Sequence, residues 1–251
     1  MLRFDRVTVR AGAATLVDTV SLDIADGERV ALVGPNGSGK STLLRTAYRA
    51  CRPVAGSVLL DGLDVWRSPV RAVGQRTGVV TQQHLADFPL TVSDVVLLGR
   101  AVHKRMFDLD TAHDRAVVIE SLRTVDLEER ANTAFATLSG GERQRTMVAQ
   151  AFAGRAPVLL FDEPTNHLDL RHQRALMESV RDHSGTAVVA LHDLQLAGRW
   201  FDRIAVLDHG KLWGIGTPAE ILTPDLLSEV YGVQADIVAH PVDGTPLVVL
   251  R

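Results

Sequence analysis

An α/β fold built on a mostly parallel sheet is what this sequence predicts, and three observations predict it. Short apolar runs of buried-strand type recur along the chain, as in Arg29-Val30-Ala31-Leu32-Val33, Val158-Leu159-Leu160-Phe161 and Thr186-Ala187-Val188-Val189-Ala190-Leu191. Segments with apolar residues at helical spacing alternate with these runs, the pattern that lays helices over a parallel sheet. The runs end in residues able to do chemistry, at the strand edge where such sheets bind ligands: a glycine-rich stretch from Gly34, then Gln82-Gln83, Asp162-Glu163 and His192-Asp193.

The glycine-rich stretch carries the strongest pattern. Gly34-Pro35-Asn36-Gly37-Ser38-Gly39-Lys40-Ser41-Thr42 satisfies G-x-x-x-x-G-K-[ST] at every fixed position. A buried-strand run precedes it and helical spacing follows over 41–48, so the loop is expected to join a strand to a helix N-terminus. The first N–H groups of a helix have no internal partner and the macrodipole is positive there, which makes the position an anion site. Gly34, Gly37 and Gly39 let the backbone turn its N–H groups inward, Lys40 can reach outer phosphates, and the Ser41 hydroxyl can ligate Mg²⁺.

Size and charge narrow the class. At 251 residues the chain can bury a large core, and its net charge of −3 gives no overall basic field of the kind that announces nucleic acid. Cys51, the single cysteine, cannot form an internal disulfide, which suits a reducing cytosol. No apolar run approaches the ~18 to 20 residues that span a bilayer, and Met1-Leu2-Arg3-Phe4-Asp5 has no signal-peptide character. A soluble cytoplasmic protein is expected. Lysine is confined to Lys40, Lys104 and Lys211, so Lys40 stands out further.

In chain order, short β segments broken by turn residues run from 2 to 31, including a turn at Asp26-Gly27, and predict an antiparallel patch beside the nucleotide. Gly56-Ser57-Val58-Leu59-Leu60 and Thr77-Gly78-Val79-Val80-Thr81 read as strands. Between 88 and 137 helical signals take over. Thr91-Val92-Ser93-Asp94 resembles a capping box, Gly99 reads as a helix stop, and Val118, Leu122 and Val125 share one face of a second helix. This segment is expected to be an inserted helical lobe. It ends at Leu138-Ser139-Gly140-Gly141-Glu142-Arg143-Gln144-Arg145, where Ser139 can N-cap a helix and Glu142 can close the box, giving a second anion-ready helix start.

The run at 158–161 delivers Asp162 and Glu163, adjacent carboxylates suited to metal and water chemistry. Asp162 is expected in the Mg²⁺ shell, while Glu163, on the other side of the strand, is expected to accept a proton from an attacking water. A loop over 164–169 and a helix over 170–183 follow, then the run that ends at His192. Asp208-His209-Gly210 reads as a hairpin turn, Pro218 and Pro224 as first residues of two short helices, and 237–250 as alternating β structure. Trp66, Trp200 and Trp213 are scattered and explained by packing as well as by stacking.

In order and kind these pieces resemble the ATP-binding-cassette ATPases over nearly the whole chain. The series is Gly34 to Thr42, Gln82, Leu138-Ser139-Gly140-Gly141-Glu142, Asp162-Glu163, Asn166-His167-Leu168-Asp169 and His192. A phosphate loop alone would admit kinases, GTPases and helicases, whereas the Leu-Ser-Gly-Gly-Glu segment is specific to cassettes. The resemblance implies a P-loop NTPase core over 1–87 and 138–251 with a helical lobe at 88–137, one domain in all, that binds ATP and Mg²⁺. It implies a homodimer through the nucleotide sites, in which each ATP on Gly34 to Thr42 is covered by the partner copy's Ser139, Gly140 and Gly141, with Asp169 also at the site. Glu163 resembles the general base, His192 the residue at the γ-phosphate, and Gln82 a Mg²⁺- and water-contacting glutamine that reports to a membrane subunit, Gln83 being a weaker candidate for that position. One position departs from the family pattern. Ala11 stands where cassettes place an aromatic residue on adenine, and Arg10 can offer a cation in its stead.

Finer features narrow the resemblance to importers of ferric siderophores, haem and cobalamin: Phe88-Pro89-Leu90-Thr91-Val92, Leu98-Gly99-Arg100, Arg171-His172-Gln173 and the tail at 241–247. Such a subunit would sit at the inner face of the cell membrane against integral permease subunits, would meet a periplasmic or extracellular substrate-binding protein only indirectly, and would not bind nucleic acid. A soluble cassette ATPase acting on nucleic acid or a protein complex stays open at this level, although the second cassette or long insert usual in such proteins is not visible.

Overall fold

The computed structural model describes residues 1–81, 89–105, 108–166 and 168–251. The chain begins with β1 (Leu2–Ala11), β2 (Ala14–Ile24), β3 (Arg29–Val33), α1 (Lys40–Ala47), β4 (Ala55–Leu60), β5 (Leu63–Asp64), α2 (Val70–Gly74) and β6 (Thr77–Val80). It continues through α3 (Val92–Leu97), α4 (Ala112–Thr124), α5 (Gly140–Ala153), β7 (Val158–Asp162), α6 (Leu170–Asp182) and β8 (Thr186–Ala190). The last elements are α7 (Leu194–Trp200), β9 (Arg203–Asp208), β10 (Lys211–Gly216), α8 (Pro218–Ile221), α9 (Pro224–Tyr231), β11 (Ala235–Ala239) and β12 (Pro246–Leu250). They gather into two units, Met1–Ser68 with Thr186–Arg251, and Pro69–Gly185.

In the first unit β3 lies between β8 and β9, parallel to both, and β10 returns antiparallel to β9. Every residue of β8 and all but the first of β3 are buried, which is why these strands read as continuous apolar runs instead of alternating ones. The turn from β9 to β10 takes left-handed φ at both His209 (44°) and Gly210 (79°), the geometry that matches strand twist in a two-residue hairpin.

A second sheet in the same unit, β2-β1-β4-β5, is antiparallel. Its first two strands are 10 and 11 residues long, not the short segments that the sequence predicts. Register shifts between Phe4 and Val7 and between Val7 and Val9 break the alternation without ending the strand, and Arg6 and Thr19 take left-handed φ of 48° and 55°. The expected Pro-initiated helices are α8 and α9, and the alternating tail is the hairpin of β11 and β12.

In the second unit β6 and β7 run parallel. Its helices start where capping predicts: Thr91, Thr111 and Ser139 each accept from the backbone three residues on, and Asp94, Asp114 and Glu142 each accept in return. Val118, Leu122 and Val125 are buried together, as their spacing predicts. The α-helix stops just before Gly99, as the sequence predicts, but the glycine does not end the turn with a left-handed φ. The α-helix ends at Leu97 and a 3₁₀ turn over Leu98–His103 runs through Gly99, where a Cβ would collide with the Gln150 carbonyl of α5. Glycine is there so that two backbones can touch.

One residue on, Arg100 is buried and donates to Asp114 at 3.0 Å and to the Ala153 carbonyl at 3.0 Å, tying the 3₁₀ turn to α4 and α5. Asp114 also accepts from the hydroxyl and the amide of Thr111 at 2.7 and 3.0 Å. Those Thr111 bonds, with Arg100 and Lys104 behind them, hold its carboxyl well below the usual carboxylate range despite its burial. Asp114→Asn leaves a buried guanidinium unpaired and should destabilise the protein by about 3–5 kcal/mol in urea unfolding at neutral pH. Because the folded pKa is the depressed one, this contribution is present above the unfolded value of about 4 and is lost as pH falls from there through the lower folded value. The gap between wild type and variant should therefore narrow on acidification, and a gap that is small at neutral pH would disprove the assignment.

Candidate nucleotide site

In the first unit β3 hands the chain to a loop shaped by its glycines. Gly34 takes φ of 144°, and a Cβ there would collide with the Leu207 carbonyl of β9 and crowd the Ser38 hydroxyl. Gly37 and Gly39 follow at 79° and 101°, Gly39 being the residue from which α1 starts. That helix has no side-chain cap and no acidic residue in its first turn, so its leading N–H groups are not claimed by a side chain of its own sequence. Lys40 is buried to 4% exposure and arches back to donate to Gly34 O at 2.7 Å and Pro35 O at 3.0 Å. Ser38 is sealed at 3% exposure with no partner for its hydroxyl. Ser41 and Thr42 are half-buried in the first turn.

Strand register places His192 at the same edge. Leu32 pairs with Ala190, so Gly34 and His192 each stand two residues beyond that pair on neighbouring strands. His192 is exposed, and Asp193 beside it caps α7 through Gln195 N at 2.7 Å and Leu196 N at 3.2 Å. Arg10 and Ala11 are exposed at the tip of the β1–β2 hairpin.

In the second unit Val80 pairs with Phe161, so Thr81 and Asp162 come next on adjacent strands. Asp162 is 4% exposed and closes β7. Glu163 lies outside the strand with φ of 53°, so strand alternation does not aim it to the opposite face. A turn aims it instead, closed by Asn166 N on Glu163 O at 3.3 Å, and the Asn166 amide donates to Glu163 Oε2 at 2.9 Å. Sequence reasoning missed that contact. Its only signal was an amide side chain three residues on in a loop that had to be short. Gln82, Gln83 and Phe88, and His167 of the later motif, fall outside the described residues.

Ser139 begins α5 with a closed capping box: Glu142 N donates to its hydroxyl at 3.3 Å, and Glu142 Oε2 accepts its amide at 2.9 Å and its hydroxyl at 2.8 Å. These bonds draw the Glu142 carboxyl below its usual range. Ser139 and Gly140 are exposed, so this helix start faces solvent. Asp169 caps α6, accepting His172 N at 2.9 Å with His172 Nδ1 at 2.7 Å, and the backbone bond chiefly keeps its carboxyl ionised.

These features suit a magnesium nucleotide. The Gly34 cradle is one that a Cβ would fill, Ser38 has an orphaned hydroxyl, and Lys40 is a buried cation beside an uncapped helix start. No group of three His, Cys, Asp or Glu that could hold a metal occurs among the described residues. The class so defined is a phosphate-loop nucleotide-binding α/β protein.

The sequence profile of the ABC transporter family matches residues 17–166. The chain belongs to that family and is one of its ATPases, with ATP and Mg²⁺ as its ligands. Hemin import ATP-binding protein HmuV of Rhodococcus jostii is 40% identical over 253 residues, covering 100% of this chain and 86% of that one. Ferric enterobactin transport ATP-binding protein FepC of Escherichia coli is 36% identical, covering 99% of this chain and 93% of that one. Among solved structures, a metal-chelate type ABC transporter in an inward-facing conformation superposes with a TM-score of 0.85 at 25% identity, covering 100% of this chain and 97% of the other. A bacterial ABC transporter cassette solved as a dimer gives 0.78 at 29% identity, covering 87% and 99%.

Proposed function

We propose that the chain energises an importer of a metal chelate, a ferric siderophore first, with haem or cobalamin next. The observation that carries this reading is the 36–40% identity, over nearly the full chain, to ATP-binding proteins named for hemin and ferric enterobactin import. We read 1–251 as one cassette domain with 88–137 as its helical lobe. It works as a homodimer, peripheral at the inner face of the cell membrane, on integral permease subunits, with an external substrate-binding protein met only through them. No helix of the described residues is long and apolar enough to cross a membrane.

In this reading the loop from Gly34 to Thr42 holds the phosphates of ATP through its N–H groups and through Lys40. Mg²⁺, held by Ser41, Asp162 and Gln82, would neutralise charge developing on the phosphate oxygens. Glu163 accepts the proton of the attacking water, and Asn166 fixes the carboxylate for it. His192 contacts the γ-phosphate. Ser139, Gly140, Gly141 and Asp169 complete the site on a second copy, the exposed α5 start serving as its anion-binding end. Coupling to the permease runs through Gln82 and the lobe around 88–100, as a two-state lobe rotation.

Deleting the gene and following radiolabelled ferric siderophore, haem and cobalamin tests the cargo. Loss of uptake of one of them is expected, and normal uptake of all three would reject the cargo assignment while leaving the ATPase reading intact.

Base selectivity should be loose, because Ala11 offers a methyl where a flat ring would stack. Stacking is worth about 1–3 kcal/mol per base, so GTP should compete within about tenfold of ATP. A strong ATP preference that survives Arg10→Ala would sink both this expectation and the assignment of Arg10 to the base.

A further inference from the structure

The loop that carries Glu163 is anchored at its far end by the first turn of α6. Asn166 N donates to Glu163 O at 3.3 Å, Leu168 N donates to Thr165 O at 3.2 Å, and Gln173 Nε2 reaches back from α6 to the same Thr165 oxygen at 3.4 Å. Thr165 and Leu168 are buried, which seats the middle of the loop, whereas Asp169 at its end has a side chain 66% exposed. His172 fixes that end. Its Nδ1 lies 2.7 Å from Asp169 Oδ1, the same oxygen that accepts the His172 amide at 2.9 Å. An ionised carboxylate only accepts, so Nδ1 carries the proton and donates.

Helix stability does not explain a histidine here. The third helical position of α3, α4, α5 and α8 holds Asp94, Asp114, Glu142 and Glu220, each accepting from the amide of its own cap residue. In α6 that position is His172, a poorer helix former whose protonation is opposed by the positive end of the macrodipole. Packing does not explain it either, because the residue borders a crevice of about 310 Å³ with Arg145, Leu168 and Leu176 instead of filling a core. What a donor at this place adds is a second bond to one oxygen of Asp169. Two bonds from one residue hold the carboxylate in a single rotamer and fix the direction in which the loop enters the helix.

We propose that His172 is a positioning residue for hydrolysis: its ring locks Asp169 and, through it, the end of the loop that holds Glu163 toward the attacking water. The inference rests on the reading of Glu163 as the base and of Asp169 as part of the ATP site of a second copy. His172 touches no reacting atom, and the phosphates are held by Gly34 to Thr42. A loosened loop misplaces the base and leaves that phosphate grip as it was, so the loss of the His172 bond lowers kcat without raising KM.

The test compares His172→Ala and His172→Asn with wild type, in the full chain, by thermal unfolding, fluorescent-ATP binding and steady-state ATP hydrolysis. Asparagine offers an N–H donor where Nδ1 stands, and alanine offers none. His172→Ala should lose kcat about fivefold, the worth of one ordinary hydrogen bond, with KM and Kd for ATP within about twofold of wild type, and His172→Asn should restore kcat to within about twofold. A wild-type kcat in His172→Ala would overturn the proposal, whether or not Tm falls, since a lowered Tm alone marks the bond as structural. A kcat equally low in both variants would overturn it too. If Glu163→Gln hydrolyses ATP as wild type does, the base assignment fails and the role of His172 with it, whereas an inactive Glu163→Gln beside a fully active His172→Ala removes only His172.

Discussion

Glu163→Gln should bind ATP as wild type does and hydrolyse it roughly 10²- to 10⁴-fold more slowly, the range that a positioned general base contributes. The amide has the same size and cannot take a proton. Its placement is also preserved, since the Asn166 Nδ2 that donates to Glu163 Oε2 at 2.9 Å can donate equally to an amide oxygen. The left-handed φ of 53° belongs to the backbone and does not change with the side-chain end group. Binding and chemistry should therefore separate cleanly, which phosphate release and nucleotide affinity measured on one preparation will show. Turnover near the wild-type rate would show that another group is the base.

Lys40→Ala should fail one step earlier. Lys40 is the loop's own cation, buried to 4% exposure, and its bonds to Gly34 O and Pro35 O show that its Nζ already lies at the mouth of the loop. Each hydrogen bond to a charged group is worth about 1.5–3 kcal/mol, so ATP affinity should fall by roughly 10- to 100-fold and hydrolysis with it. Two effects on the fold oppose each other. Removing the lysine releases the cost of burying an ammonium, and it leaves two loop carbonyls without a donor. The first offsets the second, and Tm should change little. An ATPase rate near wild type would remove the loop from its assigned role.

What could be read from the sequence was what local chemistry decides. The cap residues Thr91 and Ser139 with Asp94 and Glu142 three positions on, Pro218 and Pro224 at first helical positions, and the doubly buried runs of β3, β7 and β8 all follow from a few neighbouring residues. What could not be read depended on distant contacts or on backbone that leaves its usual region. Gly99 resembles a stop because glycine ends many helices, but its reason is Gln150 O, about fifty residues away. Glu163 was aimed by strand alternation, which no longer applies once φ turns positive. The length of β1 and β2 was hidden by bulges that interrupt the alternation and not the pairing. Arg100 was visible only as part of a family-like segment, and its bond to Asp114 needed three elements folded together.

The central claim is that holding the phosphates and taking the proton are separate tasks, given to Lys40 and Glu163. Titrating MgATP into wild type, Lys40→Ala and Glu163→Gln side by side, with phosphate release followed in the same samples, tests it most directly. The account predicts that Glu163→Gln binds ATP with wild-type affinity and releases almost no phosphate, while Lys40→Ala binds roughly 10- to 100-fold more weakly. Equal binding by both variants, or phosphate release by Glu163→Gln at the wild-type rate, would contradict it.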